Sequence, residues 1–269
     1  MLGSSRGSLA EARDSLDARR GEAGFESLAN DLFAVADLLS REKTLRVALA
    51  DAGQPPAGRA ALAESVLASR VSPIAVAVVR DVVSARWSSD ADLVSALEIL
   101  AAQAAFTVAE SDGSLGQVEE ELFRFGRAID ASPELQMALT DPSVSASSKA
   151  GVVRTLLQGR AAPATLTVLE HLAGHLRGRR ADSAVDELSD LAAQQRDRVV
   201  AEVRSAVALD DDQRRRLADV LTRLKGRTVQ LNVAIDPSVI GGISVRVGDE
   251  VIDGTVAARL EQARRALAG

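Results

Sequence analysis

His171 and His175 are the only two histidines of the chain, four residues apart, which puts both imidazoles on one face of a helix. That is the spacing of a two-histidine metal pair, but Leu172 stands where a metalloprotease helix carries its glutamate. With no third histidine and no acidic residue aimed there by the local sequence, the pair reads as polar filler on a helix flank. No metal site is expected. Gly241-Gly242 precedes an apolar run, whereas a dinucleotide fingerprint must follow a strand and open a helix. The two glycines read instead as backbone that turns tightly into a sheet. No G-x-x-x-x-G-K-[ST] loop exists, and Lys43, Lys149 and Lys225 lie elsewhere. Serine is plentiful, but no G-x-S-x-G accompanies it. Glu119, Glu120 and Glu121 open a helix, where the dipole favours negative charge. Arg177, Arg179 and Arg180 form a basic turn, and Arg214, Arg215 and Arg216 ride on a later helix, of which two of the three must face water. No catalytic residue and no cofactor is expected, which is the profile of a binding or structural protein.

Composition narrows the classes further. The chain has no cysteine, which removes disulfides, thiolate nucleophiles and Cys-ligated metal, and fits a reducing compartment. A net charge of −6 and 2% aromatics exclude counterion release or base stacking as the main source of affinity, so no nucleic acid partner is expected. The longest uncharged run, Ile99–Ala109, has 11 residues, and the N-terminal segment lacks an apolar core. A membrane span needs about 20 apolar residues, so a soluble, cytoplasmic chain without direct membrane insertion is expected.

The elements that would position these residues are mostly helices, since 48 of the 269 residues are alanine. Ser8 with Glu11 suggests a capping box for a first short helix carrying Leu9 and Leu16 on one face. From Leu28 onward the sequence repeats: a shift of 90 places Leu32-Phe33 on Leu122-Phe123, Leu45 on Leu135, Asp51 on Asp141 and Pro73 on Pro163. Ungapped, 11 of the 51 positions from Leu32 to Val82 are identical. Each copy reads as about five helices, with Ser72-Pro73 and Ser132-Pro133 as helix starts. Glu110–Gly116 is polar and glycine-containing, a boundary between copies. After Val199 the period becomes two: Val199, Ala201 and Val203 alternate with Val200, Glu202 and Arg204, and Val229, Leu231, Val233 and Ile235 point one way. Between them Asp210 and Gln213 form a capping box, and Gly248-Asp249 reads as a hairpin turn. The expected fold is α+β and predominantly helical, two tandem bundles followed by a small β-α-β-β-β-α domain. Its expected divisions are an N-terminal extension at 1–24, a first bundle at 25–113, a second at 117–198 and the α/β domain at 199–269.

The run from Asp236 through Pro237, Ile240, Gly241, Gly242, Val245, Gly248, Asp249, Asp253 and Gly254 to Val256, followed by Arg259-Leu260, closely resembles the signature of the delta (OSCP) subunit of F-type ATP synthase. The second copy is similar to that family's N-terminal domain through Leu135-Gln136-Met137-Ala138-Leu139-Thr140-Asp141-Pro142, Ser145, Lys149 and the Arg177–Arg180 turn. Ser205-Ala206, Leu209 and Gln213 resemble its strand-to-helix entry, so the resemblance covers about Val118–Gly269. The first copy departs from it, with Asp51-Ala52 for Asp-Pro and Arg59 for the lysine, as in a diverged duplicate of actinobacterial type.

The resemblance implies a non-catalytic stator subunit, one copy per complex, peripheral on the cytoplasmic face of the membrane. It would link the catalytic alpha/beta hexamer, through N-terminal helices of alpha, to the b subunit of the peripheral stalk. A groove on the bundle for an amphipathic helix is the recognition mode required, and a second contact on the same body raises effective concentration. The candidate partner-binding residues are Leu122, Phe125, Ile129, Leu188, Arg177, Arg179 and Arg180. Gly241, Gly242, Gly248, Asp249, Asp253 and Gly254 are implied to be structural. The competing classes are a helical adaptor unrelated to ATP synthase and an enzyme whose phosphate or metal site lies at Gly241/Gly242 or His171/His175.

Overall fold

A computed structural model of the chain describes residues 3–196, 199–225, 229–236, 239, 241–247 and 250–255. They form two compact units, residues 1–195 and 196–269. The first unit is wholly helical: α1 (Ser4–Ala18), a 3-10 turn at Phe25–Ser27, then α2 (Leu28–Arg41), α3 (Lys43–Ala50), α4 (Pro56–Leu67), α5 (Pro73–Ser84) and α6 (Asp90–Ser111). It continues with α7 (Leu115–Ala131), α8 (Pro133–Thr140), α9 (Ala146–Leu157), α10 (Pro163–Gly174) and α11 (Ala181–Arg196). The helix bounds recur 90 residues on: Lys43–Ala50 as Pro133–Thr140, Pro56–Leu67 as Ala146–Leu157, Pro73–Ser84 as Pro163–Gly174.

Starting signals act as the sequence suggests at two of these helices. Ser72 Oγ accepts from the Ala75 amide at 3.4 Å, and Ser132 Oγ from the Leu135 amide at 3.2 Å. The second repeat begins α10 with Ala162, which has no side-chain cap. Its place is taken from a distance: Glu121 of α7 accepts from the Ala162 amide at 3.0 Å and from Thr165 Oγ1 at 2.5 Å. Asp31, 90 residues before Glu121, does the same in the first repeat, accepting from the Ser72 amide at 3.0 Å. The first helix of each repeat thus holds the start of its fourth.

Ser8 is no cap. α1 begins at Ser4, and Ser8 lies buried within it, donating to the Arg86 carbonyl at 2.6 Å, while Ser5 Oγ donates to Asp92 at 2.7 Å. Tertiary docking of α1 outweighs the local capping option. The Glu110–Gly116 segment contains a turn of only three residues, because α6 runs to Ser111 and α7 starts at Leu115. Glu110 itself pairs with Arg20 at 3.3 Å and accepts from Gln195 at 2.6 Å, tying α1, α6 and α11 together.

One apolar core runs through both repeats, from Leu28 and Leu32 through Leu97, Leu100 and Phe106 to Leu122, Val168 and Val185. α6 is its axis. At 22 residues, with a mean hydropathy of 1.4 over its most apolar window, it has the length and composition of a membrane span, although Asp90, Asp92, Glu98 and Glu110 break it into shorter uncharged runs. Two-thirds of that window is buried among neighbouring helices (67%), the environment of a core helix.

The second unit contains β1 (Val199–Ser205), α12 (Asp211–Lys225), β2 (Val229–Ile235), β3 (Ile243–Val247) and β4 (Glu250–Asp253), in sheet order β2-β1-β3-β4. β1 and β2 are parallel across α12, whereas β3 pairs antiparallel with both β1 and β4. Asp210 and Gln213 cap α12 reciprocally, at 3.0 and 2.7 Å. Ala201, Val203, Val229, Val245 and Val247 meet Leu221 of α12 in a small core. Ile235, expected on the inner face, is 60% exposed at the end of the edge strand β2. The final helix expected over about 255–268 lies outside the described residues, as do Gly248 and Asp249.

Candidate partner-binding surface

α7 is amphipathic, with Val118, Leu122, Phe125 and Ile129 on the face turned to the core. Leu122 is 0% exposed and Ile129 2%, so these residues support the helix from beneath and do not themselves reach a partner. α7 packs on α11 at Gly126, where a Cβ would stand in ordinary contact, 3.5 Å from Val185 Cγ1. On the outer side of the same helix Phe123 is 62% exposed. Its counterpart 90 residues earlier, Phe33 of α2, is only 7% exposed and stacks on His171 of α10 with ring centroids 4.1 Å apart. The first repeat therefore uses this aromatic to grip a helix of the second repeat, and the second repeat presents the same position unfilled. The inward period 118-122-125-129 does pick out Phe123 as an aromatic off the core face, a signal present in the sequence.

Leu188 of α11 is half-buried and lines a groove of about 370 Å³ with Ile99 of α6 and Leu172 of α10. The basic turn is internally neutralised. Arg177, in the left-handed region at φ 50°, pairs with Glu98; Arg179 pairs with Glu187 at 2.6 Å; Arg180 pairs with Asp182 at 2.5 Å. The Asp182 contact holds Arg180 above its ordinary value, and the Arg180 guanidinium holds Asp182 below its own. Arg214, Arg215 and Arg216 are all exposed.

The signature glycines converge at one place. Gly241 and Gly242 have φ of 73° and 81°, and a Cβ on Gly242 would lie 2.5 Å from the Gly254 carbonyl oxygen. The Gly254 amide donates to Ile243 O at 2.9 Å, and Asp253 accepts from the Thr255 amide at 2.9 Å. That backbone hydrogen bond holds the Asp253 carboxyl below its usual value. These residues fold the β3–β4 ends against each other, with a backbone so close to Gly242 that no side chain fits there.

A family model described as the ATP synthase delta (OSCP) subunit matches residues 102–267, the second repeat and the sheet unit together. The chain belongs to the ATP synthase delta (OSCP) subunit family. The similarity extends over the first repeat as well. The chain is 47% identical to the ATP synthase subunit delta of Parafrankia sp. (strain EAN1pec) over 99% of both chains. It is 45% identical to that of Streptomyces griseus subsp. griseus over 100% of both, and 46% identical to that of Streptomyces coelicolor over 100% of this chain and 98% of the relative. Membership makes it a non-catalytic subunit of the synthase and a peripheral component of that membrane-associated complex, and removes the reading as an unrelated adaptor.

His171 and His175 are more than filler. Asp37 of α2 and Glu98 of α6 reach them from the first repeat, within 2.9 to 3.4 Å. The local sequence gives no sign of these carboxylates because they arrive through tertiary packing.

Proposed function

We propose that the outer seam of α7 and α11 takes an N-terminal helix of an alpha subunit, and that the sheet unit, residues 196–269, holds the b subunit of the peripheral stalk on the cytoplasmic face of the membrane, with one copy of the chain per complex. The observation that carries this reading is the contrast between Phe33, seated on a helix, and Phe123, exposed at the equivalent position. An amphipathic helix laid over Phe123 would bury its ring as α10 buries Phe33, a helix-in-groove mode. Leu122, Phe125 and Ile129 support α7 from beneath, and Leu188 offers a second apolar position in the groove beside Ile99 and Leu172. Arg177, Arg179 and Arg180 serve an acidic partner only by exchange with Glu98, Glu187 and Asp182. Two grips on one chain raise the effective concentration of each partner at the other, which is what holding the hexamer against a turning rotor requires.

In the sectional division 1–24, 25–113, 117–198 and 199–269, the first bundle braces the second through α6 and leaves the gripping to the later parts. A labelled peptide of the alpha N-terminus, titrated into the full chain and into Phe123→Asp, tests the seam. Loss of a central aromatic anchor should weaken binding by about tenfold or more, with helix content unchanged. Equal affinity for both chains refutes it.

A further inference from the structure

Where α2 and α6 of the first repeat meet α10 of the second, Phe33, His171 and His175 form a three-ring stack. The two imidazoles lie 4.3 Å apart with 12° between their planes. Asp37 Oδ1 stands 2.9 Å from His175 Nε2 and 3.4 Å from His171 Nδ1, and Glu98 Oε1 stands 3.4 Å from His171 Nε2. His175 Nδ1 lies 2.9 Å from the His171 carbonyl oxygen, which can only accept, so Nδ1 is the donor and Nε2 is the atom that titrates.

Asp37, His171 and His175 offer ligand atoms within 4.8 Å of one another, close enough for a metal ion. The stack decides against one. A nitrogen ligand binds along its ring plane at about 2.1 Å, and two nearly parallel rings this far apart share no such point. A proton fits the same arrangement. Asp37 Oδ1 is buried without an aligned hydrogen-bond donor, so its charge is compensated by the imidazole beside it.

The surrounding charges are already engaged. Glu98 pairs with Arg177, Glu170 with Arg154, Arg46 with Asp90 at 2.8 Å and Arg179 with Glu187 at 2.6 Å. Asp92 accepts from Ser5, and Arg41, one turn after Asp37, donates to the Asp37 carbonyl. That leaves the Asp37–His175 pair to respond to pH.

We propose that this cluster is a proton-operated latch between the two helical repeats, closed when His175 carries a proton and loosened when it loses it. The Asp37 carboxylate beside Nε2 lifts His175 above the usual 6.5 against the opposing effect of burial. Burial alone would raise Asp37, but His175, His171 and Arg41 outweigh it and hold Asp37 below 3.8. A raised histidine stabilises fully below the unfolded value near 6.5 and ceases to do so as pH climbs through the raised one; a lowered aspartate stabilises above about 3.9 and ceases as pH falls. The latch is therefore tightest between about pH 4 and about pH 6.5 and slackens on the alkaline side. Deprotonation removes the nearest positive charge from Asp37 and leaves only Arg41 to offset it beside the cleft of about 670 Å³ that α2 shares with α9 and α10, which favours widening of that cleft.

With only two histidines, proton–carbon NMR of the full chain resolves both imidazoles, and His175→Gln assigns them. His175 should titrate above 6.5, and in Asp37→Asn its midpoint should fall to the ordinary value or lower. The stability difference between wild type and Asp37→Asn in urea should shrink from about pH 6 to about pH 9. A wild-type His175 midpoint at or below the ordinary value overturns the proposal even where Asp37→Asn does not fold. So does a midpoint that ignores Asp37→Asn, a stability difference flat with pH, or Zn²⁺ at micromolar level shifting both imidazoles together.

Discussion

Glu121→Ala isolates the long-range cap on α10. The Glu121 carboxylate accepts from the Ala162 amide at 3.0 Å, from Thr165 Oγ1 at 2.5 Å and from Gln117 Nε2 at 2.7 Å. Gln117 is exposed and turns to water at little cost, whereas Thr165 is 0% exposed and has nowhere to turn. Losing a helix cap costs about 1 kcal/mol, and orphaning a buried hydroxyl adds about 1–3 kcal/mol. The sum, about 2–4 kcal/mol, should lower the melting temperature by roughly 4–16 °C at 2–4 °C per kcal/mol. Asp31→Ala is the internal control. Asp31 makes one bond to the Ser72 amide at 3.0 Å, and Ser72 Oγ still caps Ala75, so its loss should cost about 1 kcal/mol. Urea unfolding followed by circular dichroism measures both, and Thr165→Val placed on Glu121→Ala should restore part of the loss by removing the orphan. Equal costs for the two acidic residues, or a Glu121→Ala cost under about 0.5 kcal/mol, would show that Glu121 does not cap α10.

Three other perturbations follow from the same packing. Gly242→Ala drives a Cβ to within 2.5 Å of the Gly254 carbonyl oxygen at φ 81° and should cost the sheet unit at least about 2 kcal/mol, whereas Gly151→Ala on α9, with open space around it, should stabilise by about 0.5–1 kcal/mol; chemical denaturation of each variant distinguishes them. Arg59, 3% exposed, donates to the Ala85 and Ser84 carbonyls at 2.9 and 3.1 Å and closes the C-terminus of α5. Arg59→Met should cost about 2–3 kcal/mol, with partial recovery in Arg59→Lys, both read from urea midpoints. A chain of residues 114–269 lacks α6 and uncovers Val168 and Leu172, which face Ile99 and Phe33 across a shared groove; light scattering should show it aggregating at concentrations where the full chain stays monodisperse.

Local devices are the ones the sequence displays. The Asp210–Gln213 box, the Ser132-Pro133 start and the 90-residue repeat each depend on neighbours along the chain, and each sits in the structure where its residues indicate. The Gly241-Gly242 pair is legible for the same reason, as backbone that turns tightly, whereas Asp253 and Gly254 stand out only through the family resemblance. What escapes is whatever a second body decides. Helical period places Leu122 and Ile129 on an apolar face but does not tell whether a partner or the chain itself covers that face, and here the chain covers it. Ser8 satisfies a capping pattern yet is consumed by the Arg86 carbonyl. Glu121 reads as a dipole residue at a helix start and proves to act on another helix. His171 and His175 look unpartnered until Asp37 and Glu98 arrive from the repeat before them.

A mechanical link between catalytic head and stalk can be rebuilt from its parts. It is tested most directly by stripping the head from synthase-bearing membranes, adding back head lacking this subunit with or without the purified chain, and measuring ATP-driven proton pumping. The full chain should restore head binding and pumping, and Phe123→Asp should restore neither. Rebinding and full pumping without the chain would contradict it.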